Sequence, residues 1–246
     1  MKKTAIVTGA AGGVGRAVVA RLAAQGWQLI VTSRQAEHLT AAFGEQYLQV
    51  AADCSTVAGD RQILQAAKEH QMQPTALAHC VGNIRLGALH RMAEADFMDC
   101  LNANLISAFH TLAAFVGALR EAKLPGSAVF VSSAAARIGT PNHEAVAAAK
   151  GGLEALVRGA AASYASAGIR VNAVAPGIMD TPASAAIIGS ELAREAAARQ
   201  YPLPGIGSTD ELADLMAWLL SARAARVTGQ VWSMDAGFST IRPLVK

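Results

Sequence analysis

Seven short runs rich in β-branched and apolar residues, each followed by a segment long enough for a helix, set the strongest limit on what this chain can fold into. They are "TAIVT" from Thr4, "QLIVTS" from Gln28, "YLQVAA" from Tyr47, "TALAHCV" from Thr75, "SAVFVSS" from Ser127, "IRVNAVA" from Ile169 and "QVWSMD" from Gln230. Strands that alternate with helices imply a parallel sheet covered on both faces. Right-handed crossovers then give an α/β, Rossmann-like, doubly wound parallel seven-stranded sheet, with the ligand at the carboxyl ends of the strands near the switch in strand order. At 246 residues the chain fits one such sheet, and no repeat or low-complexity linker divides it, so a single domain over 1–246 is expected. One connection, within Asp180 to Thr209, is unusually long and reads as a lid-like insertion at about 179–208.

Charge and cysteine usage narrow the function classes. The net charge is +3 and the basic residues, such as Arg194, Arg199, Arg223 and Arg226, are scattered without interleaved aromatics, so no nucleic-acid partner is expected. Cys54, Cys80 and Cys100 are odd in number and show no C-x-x-C spacing, which points to reduced thiols, with neither a disulfide framework nor a metal site. The start "MKKTAIVTGAAGG" carries only a short apolar run and no stretch of 18 apolar residues follows, so neither secretion nor membrane insertion is expected and a cytoplasmic location fits.

Directly after the first run comes "TGAAGGVGRAVVARLAAQG", in which Gly9, Gly13 and Gly15 turn the chain into a helix. Glycines let backbone amides approach a pyrophosphate, and the helix N-terminus favours its charge. A tight βα turn with glycines kept for packing is the alternative; strand, glycines and helix in this order favour the phosphate site. No Gly-Lys-Ser/Thr follows, which excludes a P-loop.

The spacing Thr-Gly-x-x-x-Gly-x-Gly in "TGAAGGVG" resembles the nucleotide motif of the classical short-chain dehydrogenase/reductase family, and the resemblance extends along the whole chain. It implies that Asp53 in "AADCS" lies beside the adenine ring, with Cys54 next to it. "HCVG" stands where the family has Asn-Asn-Ala-Gly and keeps only Gly82. Asn104 in "NANLISAF" matches the active-site helix asparagine, and Ser133 in "VFVSSAAA" matches the catalytic serine. "VNAVAPGIMDTP" resembles the segment that borders the nicotinamide, which places Pro176, Gly177 and Thr181 there, with Val14 on the glycine turn. The family also implies a small-molecule substrate and a homodimer or homotetramer joined through the long helices near 103–122 and 143–166.

At the end of the second run, where an acidic residue would bind the ribose hydroxyls of NAD, this chain has Ser33 followed by Arg34. With no carboxylate to repel a 2′-phosphate and a planar, permanently charged donor beside it, NADP is favoured over NAD. Gly12 stands where many NADP-preferring members carry a second basic residue, which speaks the other way.

The family signature Tyr-x-x-x-Lys places Lys150 as its second member, holding the nicotinamide ribose, but the first position is Val146. Valine can donate no proton, and losing a general acid costs on the order of 10² to 10⁴ in rate. His143 is the expected substitute: with Asn142 as helix cap, positions 143, 146 and 150 share one face. Imidazolium titrates near neutrality, whereas Tyr201, in the lid-like segment, is the one tyrosine placed to approach the site. Arg85 and Arg137 are possible carboxylate or phosphate anchors. Two readings result. The chain is an NADP(H)-dependent oxidoreductase on a carbonyl or alcohol substrate with an atypical site of Ser133, Lys150, Asn104 and His143; alternatively it is a non-catalytic NADP(H)-binding sensor or partner subunit.

Overall fold

Each of the seven apolar runs becomes a strand: β1 (Thr4–Thr8), β2 (Gln28–Ser33), β3 (Leu48–Ala51), β4 (Ala76–His79), β5 (Gly126–Val131), β6 (Ile169–Pro176) and β7 (Val231–Met234). The computed structural model describes residues 3–242, so both ends of the expected 1–246 span lie outside the described residues. All neighbours pair in parallel in the order β3-β2-β1-β4-β5-β6-β7. The order reverses between β1 and β4, and the connections that leave these two strands in opposite directions open a crevice above their carboxyl ends.

The helices are α1 (Gly13–Ala24), α2 (Ala36–Phe43), α3 (Val57–Glu69), α4 (Glu94–Leu101), α5 (Ser107–Ala122), α6 (Glu144–Tyr164), α7 (Ala185–Ile188), α8 (Glu191–Ala198) and α9 (Thr209–Leu220). Strand side chains alternate between two cores. Ile6, Leu77 and Phe130 meet Phe115 and Leu153 on one face, while Val7, Ala78 and Val129 meet Leu22, Leu212 and Met216 on the other. Each such large side chain, fully withdrawn from water, contributes about 1.5–3 kcal/mol. These runs are apolar at successive positions because both faces are covered.

Two local differences from the sequence reading bear on the site. A π-helical turn, Asn102–Ile106, joins α4 to α5, so residues 94–122 form one continuous helix. Its length and composition would suit a membrane span, which the sequence reading did not anticipate. Its residues Leu112, Phe115, Val116 and Leu119 instead pack into the core. The second difference is at the start of α6. Asn142 takes a left-handed conformation (φ +63°), and His143 occupies the cap position without a capping side-chain bond, so Asn142 is not the cap.

Candidate active site

A cleft runs over the carboxyl ends of β1, β4 and β5, and the glycine turn forms one wall. Gly9 has φ +63°, and a Cβ there would lie 2.8 Å from the Cys80 carbonyl carbon. Gly15 is buried beneath the turn, where a Cβ would come 2.2 Å from the Gly9 oxygen. Gly13 packs against Thr181, whose Cγ2 is 2.9 Å from a Cβ built there. Gly12, the cap of α1, offers no side-chain bond, so the first amides of the helix stay open for an anion. Beyond the turn a cavity of about 440 Å³ is lined by Gly9, Ser33, Arg34, Asp53, Cys54 and Gly82, among others. Burial raises the Asp53 carboxyl, but hydrogen bonds from the Ser55 hydroxyl (2.7 Å) and amide (2.9 Å), with Arg34 nearby, leave it below its ordinary value.

The neighbouring cavity, about 300 Å³, shares Cys80, Val81, Gly82 and Asn83 with the first. Val14, Asn104, Ser133, His143, Val146, Lys150, Pro176, Gly177 and Thr181 all line it. β5 ends at Val131, so Ser132 and Ser133 project past the sheet edge. The Ser133 hydroxyl oxygen accepts the Ala135 amide at 3.2 Å, which leaves its proton for a partner in the cavity. The Ser132 hydroxyl instead donates to the buried Glu154 at 2.8 Å.

Lys150 is 7% exposed and its Nζ donates to the Val131 carbonyl at 2.7 Å. Burial pulls this amine down to about 8, partly opposed by the Cys100 and Cys80 thiols. Asn104, in the π turn, is fixed from one side only: its Nδ2 donates to the Asn83 carbonyl (3.1 Å), Asn83 Oδ1 (2.9 Å) and the Cys100 carbonyl (2.9 Å). Its Oδ1 is buried with no partner among the described residues and points to Gly82, where a Cβ would lie 2.6 Å from it and 3.4 Å from Lys150 Nζ. An orphaned acceptor beside an ammonium with spare protons suits a bound hydroxyl or water.

Comparison with known proteins agrees with this geometry. Residues 9–239 match the family described as Enoyl-(Acyl carrier protein) reductase. A tropinone reductase homologue of Arabidopsis thaliana is 33% identical over 96% of this chain and 92% of its own length. The 3-oxoacyl-[acyl-carrier-protein] reductase FabG of Pseudomonas aeruginosa is 31% identical over 96% of both chains. The chain belongs to the short-chain dehydrogenase/reductase family. An actinorhodin polyketide ketoreductase variant solved with NADPH has the same fold, with a TM-score of 0.92 at 24% identity over 98% of both chains.

Within this short-chain dehydrogenase/reductase fold, His143, Val146 and Lys150 come to one cavity although His143 precedes the helix proper. His143 Nδ1 lies 2.8 Å from the Pro141 carbonyl, which can only accept, so Nδ1 carries a proton and Nε2 is the free nitrogen. The Pro141 carbonyl fixes the orientation of the ring. Tyr201 also reaches the cavity, where its hydroxyl oxygen accepts the Ile178 amide at 2.7 Å and its ring covers Gly177. Burial raises its phenol above the ordinary range, so it keeps its proton.

The two arginines read as possible anchors are placed differently. Arg85 lines the cavity of about 440 Å³ and pairs there with the half-exposed Asp99 at 2.7 Å. Arg137 pairs with Glu154 at 3.2 Å and ties itself to β7 through the Ser233 hydroxyl and the Val231 carbonyl, both at 3.0 Å. Arg137 does not line the cavity.

Sequence reasoning missed His79, Asn83 and Phe238. His79 sits at the tip of β4, 2% exposed, with Nδ1 2.9 Å from Thr8 Oγ1 and Nε2 3.1 Å from Ser107 Oγ. Ser107 spends its own proton on the Ala103 carbonyl at 2.8 Å, so His79 donates through Nε2 and accepts from Thr8. Burial, with Lys150 nearby, drives this imidazole down to about 3. The signal was present in "HCVG", where a histidine replaces an amide side chain that also offers one donor and one acceptor.

Proposed function

We propose that this chain is an NADP(H)-dependent oxidoreductase interconverting a carbonyl compound and its alcohol, with Val146 where the family's tyrosine would stand. The observation that supports this most is the convergence of Ser133, Lys150, Asn104 Oδ1 and His143 on one cavity beside the glycine turn. The cleft fits a dinucleotide: open α1 amides for the pyrophosphate, Ser33 and Arg34 for the 2′-phosphate, Asp53 and Cys54 for the adenine end, Pro176, Gly177 and Thr181 for the nicotinamide end. The NADPH in the ketoreductase neighbour agrees with that choice of cofactor. Bound NADP(H) supplies or takes up the hydride.

The chain's own residues do the rest. Ser133 donates its hydroxyl proton to the substrate oxygen and holds it in place. Lys150 binds the ribose and, with Asn104, orders a water. His143, through Nε2, takes the alcohol proton in oxidation or returns it as imidazolium in reduction. The connection 179–208 acts as a lid, with Thr181 already against Gly13. Family membership and half-exposed Phe109 on the helix 94–122 favour a homodimer or homotetramer; a single domain and a cytoplasmic location belong to the same proposal.

Steady-state NADPH oxidation by wild type and His143→Ala tests this reading. Turnover should fall on the order of 10² to 10⁴ in the variant; full retained turnover removes the histidine from the mechanism. Val146 supports a second reading, a non-catalytic NADP(H)-responsive subunit, which wins if the wild type binds NADPH but leaves it unoxidised whatever carbonyl compound is supplied.

A further inference from the structure

The cavity beside Ser133 is poor in charge, and this bears on what it accepts. Its walls include Ile84, Val146, Ile178, Met179 and Ile187, together with Tyr201 and Phe238, whose ring centroids are 5.1 Å apart. Among the described residues the ionisable groups on its surface besides Tyr201 and Cys80 are Lys150 and His143. Lys150 is held down by the Val131 carbonyl beside Gly82 and Asn104, towards the ribose end. His143 turns its N–H to Pro141. The two guanidinium groups nearest in sequence are paired with Asp99 and Glu154.

A carboxylate or phosphate brought into such a site loses its hydration without gaining a forked partner, which opposes binding. An apolar skeleton gains from leaving water in proportion to the area covered. Val146 adds an apolar side chain to the cavity that Ser133 and His143 share, where the family's tyrosine would have presented a hydroxyl. Resting on the oxidoreductase reading above, we infer that the substrate of this site is an uncharged, predominantly apolar ketone or aldehyde, or the matching alcohol, with its apolar end against Tyr201 and Phe238. The cavity of about 300 Å³ also takes the nicotinamide end of the dinucleotide at Pro176, Gly177 and Thr181, so the space left for the substrate suits a compact skeleton of one ring or a short branched chain.

The test compares phenylacetone with phenylpyruvate, which share the ring and the ketone and differ in the carboxylate. Two readouts are taken on wild-type protein: kcat/KM with NADPH, and binding of each compound to the NADP⁺-loaded protein by calorimetry. The expected result is a preference for phenylacetone of about tenfold or more in both, the effect of one charged group left unpaired. Equal or better binding and turnover of phenylpyruvate would overturn the inference while leaving the oxidoreductase reading intact. Preferential binding of phenylacetone with no turnover of either would do the reverse. A protein that binds neither compound also overturns it. Ile187→Arg, which sets a guanidinium on the cavity wall, should narrow or invert the preference; an unchanged ratio would contradict the placement of the skeleton.

Discussion

His79 makes the fold acid-sensitive in a way that can be calculated. Its neutral ring is held between Thr8 on β1 and Ser107 on α5, with Nδ1 as acceptor and Nε2 as donor. A second proton, on Nδ1, would turn the Thr8 hydroxyl from donor to acceptor and place a charge where burial and Lys150 both oppose it. The imidazole falls from 6.5 to about 3 in the folded chain, whereas the unfolded chain protonates normally. A depressed histidine contributes stability that is fully present above the unfolded value and is lost as pH falls from 6.5 towards 3. At about 1.4 kcal/mol per unit, the loss by pH 4 is on the order of 3 kcal/mol. His79→Asn keeps one donor and one acceptor but cannot titrate. Urea unfolding followed by circular dichroism at pH 7, 5.5 and 4, at one protein concentration, should show wild type losing stability more steeply than the variant. The variant's absolute stability at pH 7 does not enter; parallel curves for the two proteins would refute the reasoning.

Asp60 gives the opposite sign: burial raises its carboxyl to about 7, and its Oδ2, like Thr111 Oγ1, has no partner among the described residues. Its contribution is present at acid pH and lost as pH rises from about 4 through 7, so Asp60→Asn should stabilise the protein at pH 8 and leave it nearly unchanged at pH 5, read as thermal midpoints. Arg34→Ala should weaken NADPH binding about ten- to a hundredfold and leave NADH nearly unaffected in a fluorescence titration, because one charge-assisted pairing to the 2′-phosphate is removed; an equal loss for both cofactors would place Arg34 outside the phosphate site. Gly15→Ala forces a Cβ to within 2.2 Å of the Gly9 oxygen. It should cost about 1–3 kcal/mol and lower the melting midpoint by several degrees, with weaker cofactor binding from the displaced turn.

The fold was legible because a parallel sheet covered on both faces leaves a strong local record. Every predicted run became a strand, with ends displaced by no more than a few residues where side chains beyond the sheet, such as Cys80 and Ser133, serve the cleft. The glycine turn was legible for the same reason, since strand, glycines and helix are contiguous. Relations between distant segments were not. Nothing local to "AARIG" shows that Arg137 will cross to β7, ninety-six residues away, and be spent on Ser233 and Val231. The same is true of the Tyr201 hydroxyl on the Ile178 amide and of the His79 bridge to Thr8 and Ser107. At the start of α6, Asn142 followed capping statistics in the sequence, but a left-handed backbone moved the helix start by one residue and let Pro141 set the His143 tautomer.

The central claim is that a site with valine in place of the tyrosine still moves a hydride to a carbonyl carbon. The most direct measurement is a single-turnover incubation of the wild-type protein with NADPH deuterated at the transferring position and a neutral ketone, followed by mass spectrometry of the product. The account predicts an alcohol carrying one deuterium on the former carbonyl carbon. Recovered ketone, with the protein saturated in NADPH that stays unoxidised, would contradict it.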